Sequence, residues 1–333
     1  MEELLFGVSH ADAQSVGNME VIPLIQEMER TSAIPEGEYG IPDNVRIGTS
    51  DYGSVDMDND DDRTVIVPPG AGWVVEQAAQ DHAIGSGKIL KPKERSVVNT
   101  ARCIQRTQPG NIRNGSHDML ILPAELRGPA LALKNEVSYN ALWKVIAGMQ
   151  RSHGVDSSSN LVDFLRTFKA QMDAFVAEFE LLDDQVGAIV LINGNIVGVE
   201  VAPSREYWKS VWTPLVRVCY GSLASACYKG MQDSERLVPM SNRMPLEMEG
   251  DTLNDLGEAL MKSQTEYVAA SKAVFDDMRS SNMLVGAQDQ KSGKNSLLTV
   301  GVQGDKEKSW SRMSGQMVLR DDGRIPFFSA CIS

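Results

Sequence analysis

The sequence predicts an α+β fold, and three observations carry the prediction. Short β-type runs punctuated by Gly, Pro and Asn fill residues 63–135. Long amphipathic helices follow within residues 136–333, and two segments there read as β-hairpins around turn signals. A length of 333 residues suggests roughly two domains at about 150 residues each. The expected division is an acidic extended arm over 1–62, a β-rich domain over 63–135, and a helix-plus-hairpin domain over 136–333.

The arm is defined by charge. The chain carries 45 acidic and 32 basic side chains, a net charge of −13. Residues 1–62 hold fifteen acidic residues against only Arg30 and Arg46, so the excess sits there and the remainder is neutral. Rich in Gly, Pro, Asp and Ser, with Pro23 interrupting its one amphipathic stretch, this segment is expected to be irregular: it has too little apolar surface to offset ordering entropy. Asp56, Asp58 and Asp60 alternate as calcium ligands do. An EF-hand loop needs Gly at its sixth position and Glu at its twelfth, and here stand Asp61 and Val67. A solvated acidic linker is the expected reading, with no metal.

In the β-rich part, Thr64–Val67, Trp73–Val75, Lys88–Leu90, Ser96–Val98 and Met119–Leu122 read as strands. Three helices follow. Leu142, Val145, Ile146 and Met149 recur at i, i+3, i+4 and i+7; Leu161 to Phe179 holds that period for about five turns, with Asn160 placed to cap it. A third helix, opened by Ser204, carries Trp208, Val211, Trp212, Leu215 and Cys219 and should kink at Pro214. A long helix runs from Thr252 to about Ser280. Asn193-Gly194 makes 188–201 a hairpin with a type I′ turn, and 316–330 repeats the plan. Each hairpin opens with a small residue (Gly187, Gly315) after a long helix, which suggests a duplicated helix-plus-hairpin unit over about 136–235 and 250–333.

No apolar run approaches the roughly 20 residues that cross a bilayer, and the start lacks the basic and apolar regions of a signal peptide. Cys103, Cys219, Cys227 and Cys331 form no CxxC pair, so structural zinc and a disulfide scaffold are poor readings and a reducing, cytoplasmic setting is expected. The acidic balance argues against a generic nucleic-acid binder, which needs a basic footprint. Gly85-Ser-Gly-Lys88 is a fragment of a phosphate loop; His82 and Ile89 stand where the full motif needs Gly and Ser or Thr, leaving an ordinary turn and no implied cofactor.

Two constellations remain. Asp81 and His82 with Cys103 and Gln105 pair a titratable base with a thiol, the ingredients of Cys/His catalysis if the fold brings them together. Lys88, Lys91, Lys93, Arg95, Arg102, Arg106 and Arg113, opposed by Glu94 alone, form a basic patch. It suits either a nucleic-acid or phosphate surface or the acidic arm, within one chain or across subunits, and self-contact is favoured because both charges belong to one polypeptide.

The run Gln185 to Val201, followed by Ser204 to Arg217 with its Trp-Thr-Pro helix, resembles the ARG-and-Rhodanese-Phosphatase-superfamily-associated protein domain family. Gln80-Asp81-His82-Ala83-Ile84 is similar to the family's Gln-Asn-Arg-Ile segment, and Cys103-Ile104-Gln105 to its Cys-Val-Glu-Gln segment. The resemblance covers roughly 63–333 and leaves the arm outside. The chain departs from the pattern at His82, where Arg is usual, and at Arg106-Thr-Gln-Pro-Gly110, which replaces a Gly-Arg-Trp run.

Two functions follow as expectations. The first is a self-assembling or scaffolding protein, such as a particle, filament or phage subunit, whose arm contacts a neighbouring copy in a homo-oligomer. The alternative, implied by the resemblance, is an enzyme or ligand-binding protein for ADP-ribose or an NAD-type ligand.

Overall fold

The computed structural model describes residues 1–2, 4–5, 7–26, 37–49, 51–74, 81–107, 118–230, 253–304 and 312–332. The chain opens with β1 (Val8–His10), β2 (Gln14–Val16) and β3 (Met19–Gln26). Short strands follow: β4 (Tyr39–Gly40), β5 (Val45–Gly48), β6 (Val55–Asn59), β7 (Thr64–Val67), β8 (Ala71–Val74), β9 (His82–Ile84), β10 (Lys88–Leu90), β11 (Arg95–Val98), β12 (Ala101–Cys103) and β13 (Asp118–Ile121). Next come α1 (Ala124–Ala132), α2 (Trp143–Ser152), α3 (Leu161–Thr167) and α4 (Lys169–Glu178). The hairpin β14 (Gln185–Ile192) and β15 (Asn195–Val201) leads into α5 (Arg205–Thr213), a π-helical segment (Pro214–Tyr220) and α6 (Gly221–Gly230). The helix α7 (Leu253–Ser280) and the strands β16 (Asn282–Ser292), β17 (Asn295–Gln303), β18 (Arg312–Arg320) and β19 (Phe327–Ile332) complete an α+β fold.

One antiparallel sheet of nine strands organises the molecule. Its order is β1-β3-β14-β15-β19-β18-β17-β16, with β2 also paired to β3. Along β14 every residue is buried, and alternate side chains serve two layers. Ala188, Val190 and Ile192 pack with Trp208, Val211, Trp212, Leu215 and Cys219 of the stretch 205–230. Ile189 and Leu191 pack on the other face with Leu4, Leu5, Phe275 and Met278. Covered on both faces, the strand reads as a continuous apolar run, and each such side chain contributes about 1.5–3 kcal/mol by burial. The turn is held by Asn193 and Gly194 at φ 52° and 70°, the left-handed pair that a type I′ turn requires. Ser204 Oγ accepts from Tyr207 N at 3.1 Å and caps α5. At Pro214, which lacks an N–H, the backbone widens into the π-helical segment and the helix continues into α6.

Several expectations need correction. The acidic segment is not an extended arm. The strand β3 lies between β1 and β14, paired to β14 from Met19↔Ile192 to Gln185↔Ile25; β4 joins a small sheet ordered β10-β7-β4, β5 and β6 join another ordered β11-β6-β5, and a third small sheet is ordered β12-β9-β8-β13. Pro23 is tolerated because the neighbouring edge divides there into β1 and β2, and its carbonyl accepts from Ala11 N at 3.0 Å. Asp56, Asp58 and Asp60 are no linker. In β6, Val55, Met57 and Asn59 point inward, while Asp56 and Asp58 face outward at the strand's period of two. Strands therefore begin at Val8, and those of the small sheets at Tyr39, rather than near residue 63.

The five-turn helix breaks at Phe168 (φ −109°, ψ 12°), where the ring packs against Phe164 at 5.1 Å. Asn160 makes no side-chain cap; its amide is engaged across the chain, as described below. The proposed duplication does not form two separate units. The hairpin that directly follows α7 is β16–β17, and β18–β19 joins the first hairpin edge to edge through β15 and β19. The small openings of the two hairpins do share a cause. A Cβ on Gly187 would lie 2.2 Å from Glu200 O, and one on Gly315 would lie 2.0 Å from Ser329 O.

Candidate functional site

The antiparallel pair β9–β12 sets Cys103 directly opposite His82, so the fold does unite the two segments singled out by their residue types. It unites them in the interior. His82 and Cys103 are 0% exposed, Asp81 is 1% exposed, and Gln105 is buried. Cys103 Sγ donates to Gln105 O at 2.9 Å, and His82 Nε2 accepts from Gly53 N at 3.3 Å, so that nitrogen is the unprotonated one. A thiol and an imidazole with no surface cannot meet a substrate larger than a water-sized molecule in this conformation. They hold neighbours in place instead.

What they hold is a row of aromatic rings. The Gly53 turn, at φ 81°, brings Tyr52 onto Tyr139 with ring centroids 5.6 Å apart and nearly parallel. A Cβ on Gly53 would stand 3.0 Å from Tyr139 Cβ, so the close approach needs glycine. Cys103 N donates to Tyr139 O at 2.8 Å. Tyr139 in turn meets Trp143 edge-on at 5.7 Å. Beside Trp143 opens a cleft of about 400 Å³ lined by Arg106, Asn140, Trp143, Lys144, Ala147, Arg151 and Ser159.

Each wall of this cleft has a local cause. Trp143, Lys144, Ala147 and Arg151 come from the α2 face opposite its buried Ile146 and Met149. Arg106 leaves the end of the β12 segment, where Asn160 fixes it. Asn160 Oδ1 accepts from Arg106 N at 2.8 Å and Thr107 N at 3.3 Å, while Nδ2 donates to Thr107 Oγ1 at 3.0 Å. This is where the expected helix cap went. Arg151 Nη1 donates to Ser157 Oγ at 2.9 Å. Among the described residues none of Arg106, Lys144 and Arg151 forms an ion pair with a carboxylate. Trp143 Nε1 is buried and has no hydrogen-bond partner among the described residues.

Two other clefts differ in their charge balance. One of about 420 Å³ surrounds the Gly85–Lys88 turn. There Lys134 Nζ meets Asp289 Oδ1 at 2.5 Å, and Asp289 Oδ2 also accepts from Thr299 Oγ1 at 2.6 Å, so of the two lysines in the lining Lys134 is neutralised and Lys88 alone is left. The turn itself is anchored, not open: Gly87 N donates to Gln316 Oε1 at 2.7 Å. A third cleft of about 640 Å³ carries Arg217, which is paired with Asp173 at 2.6 Å, together with Asp43 and Asp118.

The basic patch is dispersed. Lys88 borders the second cleft; Lys91 and Arg95 are exposed. Lys93 Nζ sits 3.2 Å from Asp62, and Arg95 is the cross-strand partner of Asp58, so acidic and basic segments meet within one chain. Arg102 is no surface residue: it is 1% exposed, its guanidinium donating to the carbonyls of Thr100, Ala101, Leu133 and Glu136. Burial lowers its pKa, and its role is to satisfy carbonyls at the end of α1. Among the described residues of the patch, only Arg106 reaches the cationic cleft. Arg113, Gln80 and the Pro109-Gly110 replacement lie outside the described residues. Arg46 takes up two of the suspected calcium ligands, Asp58 at 2.8 Å and Asp60 at 2.9 Å, and no group of three metal-capable side chains occurs among the described residues.

Sequence reasoning missed Asn140, Trp143, Lys144, Arg151 and Ser159. The signal was available in α2, whose apolar positions were read while the charged face they leave behind was not.

A model of the ARG and Rhodanese-Phosphatase-superfamily-associated Protein domain matches residues 7–288. The match begins within the acidic segment, which the sequence resemblance over roughly 63–333 left outside, and it ends before β17, short of residue 333. No curated protein matches the chain. No solved structure matches it either.

Proposed function

The chain belongs to the ARG and Rhodanese-Phosphatase-superfamily-associated Protein domain family, and we propose that it binds a phosphate-bearing small molecule in the cleft between Arg106 and α2. The observation that carries this reading is the convergence of Arg106, Lys144 and Arg151 on one cavity with no carboxylate among the described residues to neutralise them. Cations held together repel one another, and an anion relieves that repulsion. Arginine matches phosphate oxygens with paired donors, and the cavity volume lies in the range of small-ligand sites.

The aromatic row adds a flat-ring preference. Tyr52 is 46% exposed while stacked on Tyr139, a ledge on which a nucleobase can extend the stack. Phosphates and a base together describe a nucleotide of the ADP-ribose or NAD type. Binding is favoured over turnover because the cleft lining, among the described residues, holds no carboxylate, histidine or cysteine. The assembly reading loses the free arm on which it rested, since β3 is an interior strand.

Calorimetric titration of the full chain with ADP-ribose, NAD and inorganic pyrophosphate tests the proposal. Binding of at least one of them, weakened tenfold or more in Arg106→Ala and Arg151→Ala, is the expected result. Absence of binding by all three, or binding that both variants leave intact, overturns it.

A further inference from the structure

Away from the cleft, the densest group of buried polar side chains lies under the stretch 205–230. Arg127, from α1, is only 5% exposed. Its Nη1 donates to Glu200 Oε1 at 2.5 Å, and its Nη2 donates to Ser329 Oγ, whose hydroxyl donates in turn to Glu200 Oε2. Tyr220 OH donates to Glu200 Oε1 at 2.6 Å. Nη1 also faces two sulfurs: Cys331 Sγ at 2.8 Å and Cys219 Sγ at 3.7 Å. The two thiols hydrogen bond to each other, and Tyr220 OH lies 3.4 Å from Cys331 Sγ.

Such a group is more than an ion pair needs. Glu200 alone would satisfy the guanidinium's charge, yet both thiols are brought to the same nitrogen from distant parts of the chain, one on the π-helical segment and one on β19. Their environments also differ. Burial pushes both thiols up, but for Cys331 the hydrogen bond from Cys219 and the Arg127 charge outweigh burial and bring it below the ordinary thiol value. Cys219 stays well above that value, burial being the main cause. An acidified thiol touching a neutral one is the arrangement of a nucleophile and its resolving partner.

We propose that Cys219 and Cys331 are an internal redox couple that a small peroxide converts to a disulfide. In the first step the Cys331 thiolate attacks one oxygen of hydrogen peroxide. An S–O bond forms, the O–O bond breaks, and hydroxide leaves to take up the proton Cys331 released. In the second step the Cys219 thiol attacks the sulfenic sulfur; the S–S bond forms, the S–O bond breaks and water leaves. Two thiols are oxidised, and one peroxide is reduced to two waters. The size of the oxidant follows from the packing. Cys219 and Cys331 are 0% and 1% exposed, so only an oxidant close to the size of water can percolate to them, and the water-sized cavity of about 10 Å³ that touches Glu200 is lined by neither cysteine. Hydrogen peroxide is little larger, whereas glutathione disulfide is excluded. The product ties the π-helical segment to the middle of the main sheet.

The test is peptide mapping of the folded, full-length protein after peroxide treatment and alkylation, with free glutathione in the same tube as a reporter. The expected result is a Cys219–Cys331 linked peptide with Cys103 and Cys227 alkylated, and no such peptide after treatment with glutathione disulfide. In Cys219→Ser, Cys331 should stall as the sulfenic acid and be captured by dimedone. Recovery of both thiols reduced while the glutathione is consumed overturns the proposal, as does linkage that appears only after unfolding in urea.

Discussion

Two arginines, twenty-one positions apart in sequence, show how differently the fold treats the same charge. Arg127 is sealed against Glu200 and Ser329 inside the main sheet's helical face, with Tyr220 donating to the same Glu200 carboxylate. Arg106 stands at the rim of an open cleft with Lys144 and Arg151 and, among the described residues, meets no carboxylate. A charge neutralised from within is part of the core and is answered by stability. One left unneutralised raises the local potential and is answered by a ligand. The contrast separates the site from the scaffold better than residue type does, because His82 and Cys103, the more reactive side chains, belong to the scaffold.

The sharpest way to break the comparison is to remove the sealed charge. Arg127→Met leaves Glu200 buried without its cation and should cost about 3–5 kcal/mol in urea unfolding. Little change would mean the cluster is not the structural pair described. The double variant Arg106→Ala/Arg151→Ala should leave stability within about 0.5 kcal/mol while removing about 1.5–3 kcal/mol of phosphate-ligand binding per side chain. Denaturation and calorimetry on the same sample distinguish the two. Asn160→Ala lies between the extremes. It frees Arg106 N and Thr107 N, and should cost about 1–2 kcal/mol of stability together with a measurable loss of affinity.

Acid supplies a milder probe. The Arg63 hydrogen bonds beside Asp61, reinforced by Asn44, hold its carboxyl well below the usual carboxylate range against the opposing effect of burial. A depressed carboxyl contributes stability that is complete above its unfolded pKa of about 3.9 and is lost as pH falls through its lower folded value. Asp61→Asn should therefore flatten that acid limb and leave the neutral-pH region free of slope. Smallest of all, Arg46→Ala removes exposed pairs with Asp58 and Asp60 and should change stability by at most about 1 kcal/mol, a change that high salt erases.

Local signals carried much of the fold. Thr64–Val67 and Lys88–Leu90 are strands as their sequence predicts, and Asn193-Gly194 makes the turn its φ angles demand. The strand β3 was hidden because Glu20 and Pro23 speak against a central strand, and only its neighbours make either tolerable. The strand β16 was hidden because Asn282–Ser292 shows no alternation. The site was less legible still. Its three cations come from the end of one β segment and two turns of a helix, and what distinguishes them, the lack of a carboxylate, is a property of space rather than of sequence. Arg102 illustrates the converse, a member of a basic run that serves carbonyls in the interior.

The position of β19 has a consequence for how the protein is made. This strand is the bridge between β15 and β18, so the two halves of the nine-stranded sheet stay unjoined until residue 332 has left the ribosome. Until then β15 exposes an apolar edge and Arg127 lacks Ser329, while β3 and β14 can pair much earlier. Synthesis therefore passes through a long interval with a half-built sheet, a natural client for a chaperone.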